Sequence, residues 1–175
     1  LNFDFKCKGV SSITIDPHKM GLAPVPSGGI IFRKKKYLEK LSIKTPYLTK
    51  DKQTTIVGTR TGASTAATWT LLNYHGMEGY KKIVEKVINL TTYTYNKLNK
   101  NKHVTIIHKP ELNIISFKVD NIDVDTVQKQ LQAYGWIVSL AEYPHVIRLV
   151  LMPHIKKEHI DEFLVDLDII IQKNR

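Results

Sequence analysis

The stretch Ser11-Ser12-Ile13-Thr14-Ile15-Asp16-Pro17-His18-Lys19-Met20-Gly21 decides how the fold of this chain is interpreted. Hydroxyl side chains alternate with β-branched apolar ones up to Ile15, a pattern that predicts a β-strand. Asp16-Pro17 ends that strand, because proline has no N–H to donate and disfavours helix in the residue before it. We expect the strand to be buried and to place Lys19 just beyond its end, among apolar and turn residues.

Lys19 has two interpretations. In a chain with 26 lysines and arginines, most lysines are solvated side chains without a chemical role. A partly desolvated lysine can instead present a neutral amine that condenses with a carbonyl, as a Schiff-base lysine does. The pair His18-Lys19, following a strand of small hydroxyl residues, favours the second interpretation.

The composition is that of a globular protein. Of the 175 residues, 42% are apolar and 9% aromatic, enough for one domain or parts of two. No stretch approaches the roughly 18 to 20 uninterrupted apolar residues of a membrane-spanning helix. Cys7 is the one cysteine, so no internal disulfide can form. We expect a cytoplasmic protein without a membrane partner.

The net charge of +10 raises the alternative of a non-enzymatic basic binding module for nucleic acid. The basic residues are nearly all lysines, and they are spread along the chain in separate groups. No aromatic and basic motif of the RRM type accompanies them. We therefore favour a solvated basic surface and expect no nucleic-acid partner.

The first half of the chain predicts a second strand and a helix that is preceded by a polar, glycine-containing segment. Gly29-Ile30-Ile31-Phe32 predicts a strand that returns beside the first, and a loop is predicted over 42–53. Gly58-Thr59-Arg60-Thr61-Gly62 precedes a small-residue helix that Gly76 ends. Hydroxyls and free N–H groups at that helix start would suit a phosphate. Taken alone, a glycine turn with a hydroxyl cap is the better interpretation.

The second half predicts a compact α+β unit after a long amphipathic helix. The strands are predicted at 104–107, 114–119, 136–140 and 146–152, and the helices at 123–134 and 156–172. The apolar face of the last helix would cover the small sheet. We therefore place a domain boundary near Gly76, between residues 1–75 and 76–175.

Arg148 lies in the most apolar strand, on the same face as Val146 and Val150. An unpaired arginine there would be costly, so we expect a carboxylate to meet it. The partner is either a local acidic residue or the carboxylate of a substrate. The histidines lack the spacing of metal ligands, and we expect no metal site.

The lysine motif, with Pro144-His145-Val146-Ile147-Arg148 and Met152-Pro153-His154-Ile155, resembles the group II pyridoxal-phosphate-dependent amino-acid decarboxylases. The resemblance extends over essentially the whole chain. It implies an α/β fold, the C-terminal part of a PLP-dependent transferase fold type I enzyme: the end of the large domain, then a small α+β domain with a long connecting helix. Leu1 is not a start methionine, and we expect a fragment of a longer enzyme.

The resemblance also implies a cofactor, pyridoxal 5'-phosphate (PLP), and roles for four residues. Lys19 would bind PLP covalently and His18 would lie against it. Thr59 would reach the phosphate of the neighbouring subunit's cofactor in a homodimer with active sites at the subunit interface. Arg148 would bind the substrate carboxylate.

The implied activity is decarboxylation of an L-amino acid. In archaeal members of the family the reaction is L-tyrosine to tyramine, for methanofuran, or L-aspartate to β-alanine, for coenzyme A. Other parts of the family's site lie upstream of Leu1, so we expect the fragment alone to bind PLP poorly and to turn over little. An alternative with the same cofactor is a carbon–carbon lyase of the sphingosine-phosphate lyase type, which the motif also resembles.

Overall fold

The computed structural model describes residues 3–46 and 52–175. The chain divides into two compact units, Leu1–Gly79 and Tyr80–Arg175. The assignment of 1–75 to a large domain and of 76–175 to a small one stays a prediction.

A β-hairpin opens the first unit after a short 3-10 helix at Asp4–Lys6. Strands β1 (Ser12–Ile15) and β2 (Gly29–Phe32) pair antiparallel along their lengths, as the sequence predicts. The expected burial of β1 is wrong, since Ile15 is 48% exposed and Ile30 of β2 is 52% exposed. The physical reason is that, within the described residues, the hairpin is a two-stranded sheet of its own.

Arg33 ties the segment before β1 to the end of β2. Its Nε donates to the Val10 carbonyl at 2.6 Å. Its Nη2 donates to the carbonyls of Phe5 and Cys7 at 2.6 and 2.8 Å. The guanidinium also lies 5.3 Å from the centre of the Phe5 ring, within cation–π range. One arginine therefore binds three carbonyls and fixes the path of the chain into β1.

The segment after β2 contains the helical turn that Tyr37, Leu38 and Leu41 predict, and two short strands that the sequence does not predict. Helix α1 (Lys35–Lys40) is followed by two short antiparallel strands, β3 (Ile43–Lys44) and β4 (Lys52–Gln53). The loop predicted over 42–53 is therefore wrong at both ends, and its middle, 47–51, lies outside the described residues. Polar sequence does not exclude pairing, because a β-ladder uses backbone groups.

Helix α2 (Ala63–Lys100) is interrupted once, at Gly76, where φ is 56° and ψ is −169°. Glycine adopts this left-handed φ at little cost. The predicted break in helical backbone at Gly76 is thus confirmed. Neither α2 nor any other helix in the described ranges is long and apolar enough to cross a membrane.

The second unit contains a four-stranded antiparallel sheet and two further helices. The strands lie in the order β5-β6-β8-β7. Their bounds are β5 (Val104–Ile106), β6 (Ile114–Val119), β7 (Ser139–Ala141) and β8 (Val146–Val150). Helix α3 (Val124–Ala133) packs on β6 and β8, and α4 (Lys157–Lys173) packs beside α3.

One face of this sheet forms the core of the unit. Ile115, Phe117 and Val119 alternate along β6 and are buried, whereas Ile114 is 44% exposed on the other face. This is the period-two pattern of a sheet covered on one side. The helices contribute these buried apolar residues: Val87 and Leu98 of α2, Val124, Val127 and Leu131 of α3, and Ile160, Phe163, Leu167, Ile170 and Ile171 of α4.

The strand predicted over 136–140 begins only at Ser139. Trp136 belongs instead to the end of α3, because its backbone N–H donates to the Leu131 carbonyl at 2.9 Å. Gly135, with φ of 91°, makes this helix ending possible. The indole donates to Asp166 at 2.7 Å and packs edge-on against Phe163. Trp136 therefore caps α3 and packs against α4, although the residues around it have the aromatic and β-branched composition of a strand.

His145, in the turn before β8, provides a pH test of this unit. Its Nε2 lies 2.8 Å from Asp125 Oδ2, and the hydrogen bond to that carboxylate raises the pKa of His145. Because the pKa of His145 is raised in the folded state, the interaction contributes fully to the free energy of unfolding at a pH below the unfolded-state pKa. Its contribution is lost as the pH rises through the folded-state pKa.

We expect an NMR titration to place the imidazole of His145 at a higher pKa than in the variant Asp125→Asn. Glu158→Gln, which removes an exposed carboxylate at the start of α4, should leave the titration of His145 unchanged. Identical titration of His145 in the wild type and in Asp125→Asn would show that the contact does not form.

Candidate active site

The turn that follows β1 is closed by three backbone hydrogen bonds. Lys19 N–H donates to the Asp16 carbonyl, Leu22 N–H to the Lys19 carbonyl and Ala23 N–H to the Pro17 carbonyl, each at 3.0 Å. Proline ends the ladder at Pro17, and the freed backbone groups are satisfied within the turn. Lys19 is therefore held on a compact loop.

Gly21 is required by close packing inside this turn. A Cβ built on Gly21 would lie 2.6 Å from the Pro17 carbonyl oxygen and 2.9 Å from the Pro17 Cα. Both contacts are with backbone atoms, which cannot rotate away as a side chain can. Any larger residue at this position would open the turn that carries Lys19.

The Lys19 side chain is exposed and paired with a carboxylate. Its Nζ lies 2.8 Å from Asp16 Oδ2, and the two side chains are 67% and 44% exposed. The hydrogen bond and the charge of Lys19 lower the pKa of Asp16. The expected partial desolvation of Lys19 is therefore wrong for the described residues, because the hairpin that carries it is open to solvent.

His18 is fixed by the loop that leads into β2. Its Nδ1 is hydrogen-bonded to the Ser27 carbonyl oxygen, and the ring is half-buried. A carbonyl can only accept, so Nδ1 carries the proton, and in the neutral ring Nε2 is left as an acceptor. The contact ties the lysine turn to the start of β2 and sets the orientation of the imidazole.

Thr59 lies in the wall of an open cleft of about 680 Å³ within the first unit. Polar residues from two segments line it: Ser27, Gly28, Thr59, Arg60, Thr61 and Ser64. The cleft lies at the N-terminus of α2, where Ala63 N–H donates to Thr61 Oγ1 at 3.2 Å. Free N–H groups, hydroxyls and a guanidinium at a helix N-terminus favour an anion.

Ser27 has a buried hydroxyl that lacks a hydrogen-bond partner among the described residues. The residue is 9% exposed and belongs to the wall of the cleft. A buried donor without a partner is unfavourable and unusual. A polar ligand in the cleft could therefore supply the hydrogen-bond partner that the Ser27 hydroxyl lacks.

Arg148 projects from the middle of β8 on the open face of the sheet, between Ser116 of β6 and Ser139 of β7 in register. It is exposed. Of the two partners that the sequence left open, the local acidic residue is not found: within the described ranges no ion pair or hydrogen bond to the Arg148 guanidinium is present. Because Arg148 is solvated, its charge does not require a partner within the chain.

The structure brings His18, Lys19 and Thr59 into the first unit, and Arg148 belongs to the second. Two polar residues near Lys19 were not identified from sequence. Asp16 was interpreted only as the end of a strand, although its spacing of three from Lys19 permits the observed pair. Ser27 gave no sequence signal, since its buried hydroxyl depends on the loop geometry.

The sequence has clear relatives. Residues 2–120 match the pyridoxal-dependent decarboxylase conserved domain. The chain is 99% identical over 175 residues to a probable L-tyrosine/L-aspartate decarboxylase of Methanosphaera stadtmanae, covering 45% of that protein. It is 48% identical over 168 residues to an L-aspartate/L-glutamate decarboxylase of Pyrococcus horikoshii, covering 95% of this chain and 43% of the relative. The chain thus spans less than half the length of these curated relatives.

Solved structures give the fold. A sphingosine-1-phosphate lyase of Burkholderia pseudomallei matches 99% of this chain and 40% of its own, with a TM-score of 0.87 and 22% identity. A glutamate decarboxylase of Lactobacillus brevis matches 97% of this chain and 42% of its own, with a TM-score of 0.83 and 23% identity. The predicted fold class, the C-terminal part of a PLP-dependent fold type I enzyme, is confirmed. The chain belongs to the pyridoxal-dependent decarboxylase family.

Proposed function

We propose that the full-length protein is a cytoplasmic, PLP-dependent L-amino-acid decarboxylase, and that this chain supplies its cofactor lysine, Lys19. The observation that carries the proposal is an accessible amine on a strand-end turn closed by three backbone hydrogen bonds, in the same unit as a cleft lined by hydroxyl groups and Arg60. Family membership supports the reaction class. L-Tyrosine and L-aspartate are the substrates we propose, since relatives are named for both.

The residues present fit PLP. The cofactor has an aldehyde, which an accessible lysine amine can attack, and a phosphate, which hydroxyls and a helix N-terminus can bind. For the cofactor held by Lys19 of the same chain, the cleft supplies Arg60, Ser64 and the unpartnered hydroxyl of Ser27. When bound, PLP supplies the electron sink for loss of carbon dioxide.

In the proposed enzyme each residue of the chain has a separate task. Lys19 holds the cofactor, and His18, with its ring fixed by Ser27, lies against it. Thr59 binds the phosphate of the neighbouring subunit's cofactor in a homodimer. Arg148 binds the substrate carboxylate, a role that fits an exposed guanidinium between two serines.

A carbon–carbon lyase remains a second hypothesis from the sequence. The likeness to a sphingosine-1-phosphate lyase supports it only at the level of fold. Product analysis of the full-length enzyme separates the two, since a decarboxylase releases carbon dioxide and the lyase releases an aldehyde. A basic binding module would instead bind nucleic acid in a salt-dependent way and take up no PLP.

We expect borohydride reduction of the full-length protein with PLP, followed by peptide mapping, to place a pyridoxyl adduct on Lys19. Lys19→Ala should abolish the adduct, because it removes the only amine held on the strand-end turn. Lys34→Ala, an exposed lysine at the end of β2, is the matched control and should leave the adduct at Lys19. An adduct that maps to another lysine in the wild type would contradict the proposal.

Arg148→Gln should raise the KM of the full-length enzyme for its amino-acid substrate about 10- to 100-fold, the scale of losing a charge-assisted hydrogen bond to a carboxylate. Arg148→Lys should recover part of this loss. With L-tyrosine as the substrate, inhibition by the product tyramine, which has no carboxylate, should not change. Lys118→Gln, on the same open face of the sheet, is the control. Equal loss of affinity for substrate and product amine would show that Arg148 does not bind the carboxylate.

A further inference from the structure

We propose that Asp16 is a positioning residue that holds the ammonium of Lys19 whenever that side chain is not bonded to the cofactor. The inference rests on the proposed function, because it takes Lys19 to be the cofactor lysine. The contact that carries it joins Lys19 Nζ to Asp16 Oδ2 at 2.8 Å. The lowered pKa of Asp16 agrees with a carboxylate that faces a cation.

The pair is built into the turn and does not depend on two separate surface elements. The same two residues are joined through the backbone, since Lys19 N–H donates to the Asp16 carbonyl at 3.0 Å. Asp16 stands directly after β1, and Pro17 fixes the backbone direction there. Both side chains thus leave a compact turn that Gly21 keeps closed.

Asp16 also borders the anion-binding cleft. A methyl group built on Gly28, a residue of the cleft wall, would lie 3.5 Å from Asp16 Oδ1. One carboxylate oxygen therefore approaches the wall of the cleft, and the other binds the Lys19 ammonium. A free Lys19 is kept beside the place where we propose that the cofactor phosphate binds.

This position suits the exchange of amines that the reaction needs. The substrate nitrogen would take over both carbon–nitrogen bonds that Lys19 gives up, and the two electron pairs of the broken bonds would stay on Lys19 Nζ. The two protons that the substrate ammonium loses would end on that nitrogen, which keeps the proton it already carried and so becomes an ammonium. Asp16 then binds the resulting ammonium and keeps it within reach for its return. Without the carboxylate, a long lysine side chain on an exposed turn would explore many rotamers.

The pair should matter to the chemistry of Lys19 and little to stability. Both side chains are largely exposed, and exposed ion pairs contribute little to the free energy of unfolding. Asp16→Asn keeps the size of the side chain and removes its charge. Glu39→Gln is a matched control, because Glu39 pairs with Lys35 on the surface of the same unit, at 3.9 Å.

The first measurement is competitive acetylation of the cofactor-free, full-length protein with trace acetic anhydride, followed by peptide mapping. An amine that is bound to a carboxylate is less available to the reagent than an amine whose partner has been removed. Lys19 should therefore be labelled about threefold faster in Asp16→Asn than in the wild type, the change expected for losing an exposed ion pair. Glu39→Gln should leave the labelling of Lys19 unchanged. Equal labelling of Lys19 in Asp16→Asn and the wild type would overturn the proposal.

The second measurement is a single turnover of the full-length enzyme with PLP, in which carbon dioxide release and the return of Lys19 to the cofactor are followed separately. Asp16→Asn should slow the return about threefold and leave carbon dioxide release unchanged. An unchanged return, or an equal slowing of both steps, would overturn the role of Asp16. Failure of the proposed function is distinguishable, since wild-type protein would then give no pyridoxyl adduct at Lys19.

Discussion

The close approach of Gly21 to the Pro17 carbonyl is the constraint on which the candidate site depends. Proline ends β1, so the chain has to turn, and the absence of a side chain at Gly21 allows that turn to be tight. Lys19 lies inside it, paired with Asp16. A position on a closed turn restricts where the amine can go, although the side chain itself is exposed.

The same turn is joined through His18 to the cleft at the N-terminus of α2, where we propose that an anion binds. The imidazole is hydrogen-bonded to the Ser27 carbonyl, and Ser27 is part of the cleft wall together with Thr59. The lysine and the anion-binding groups are thereby connected through short local contacts within one unit. Arg148 belongs to the other unit, where one sheet face is covered and forms a core, and it lies on the opposite, open face. The chain spans 45% of the length of its Methanosphaera relative.

The sequence predicted the elements whose signals are local. The alternation through Ile15 and the proline after it located β1, and the glycine at position 76 located the break in α2. Backbone preferences of single residues decide such features. The motif around Lys19 also gave the family, and with it the fold class.

Burial and side-chain partners could not be predicted in the same way, because they depend on what packs nearby. Apolar neighbours in sequence indicated a desolvated Lys19 and a paired Arg148, yet both are exposed. Trp136 lies in a segment with the composition of a strand, but its backbone N–H caps the end of α3. The pairing of Asp16 with Lys19 and the unpartnered hydroxyl of Ser27 follow from the folded loop, which no residue pattern specifies.

Replacement of Gly21 tests most directly whether the closed turn positions Lys19. In the full-length protein, Gly21→Ala would put a methyl group 2.6 Å from the Pro17 carbonyl oxygen, whereas Gly62→Ala would add one in open space. Borohydride trapping of PLP at Lys19 should fall at least about tenfold in Gly21→Ala, because a backbone clash opens the turn. It should be unchanged in Gly62→Ala, and both variants should keep the far-ultraviolet circular dichroism of the wild type. Wild-type trapping at Lys19 in Gly21→Ala would contradict the account.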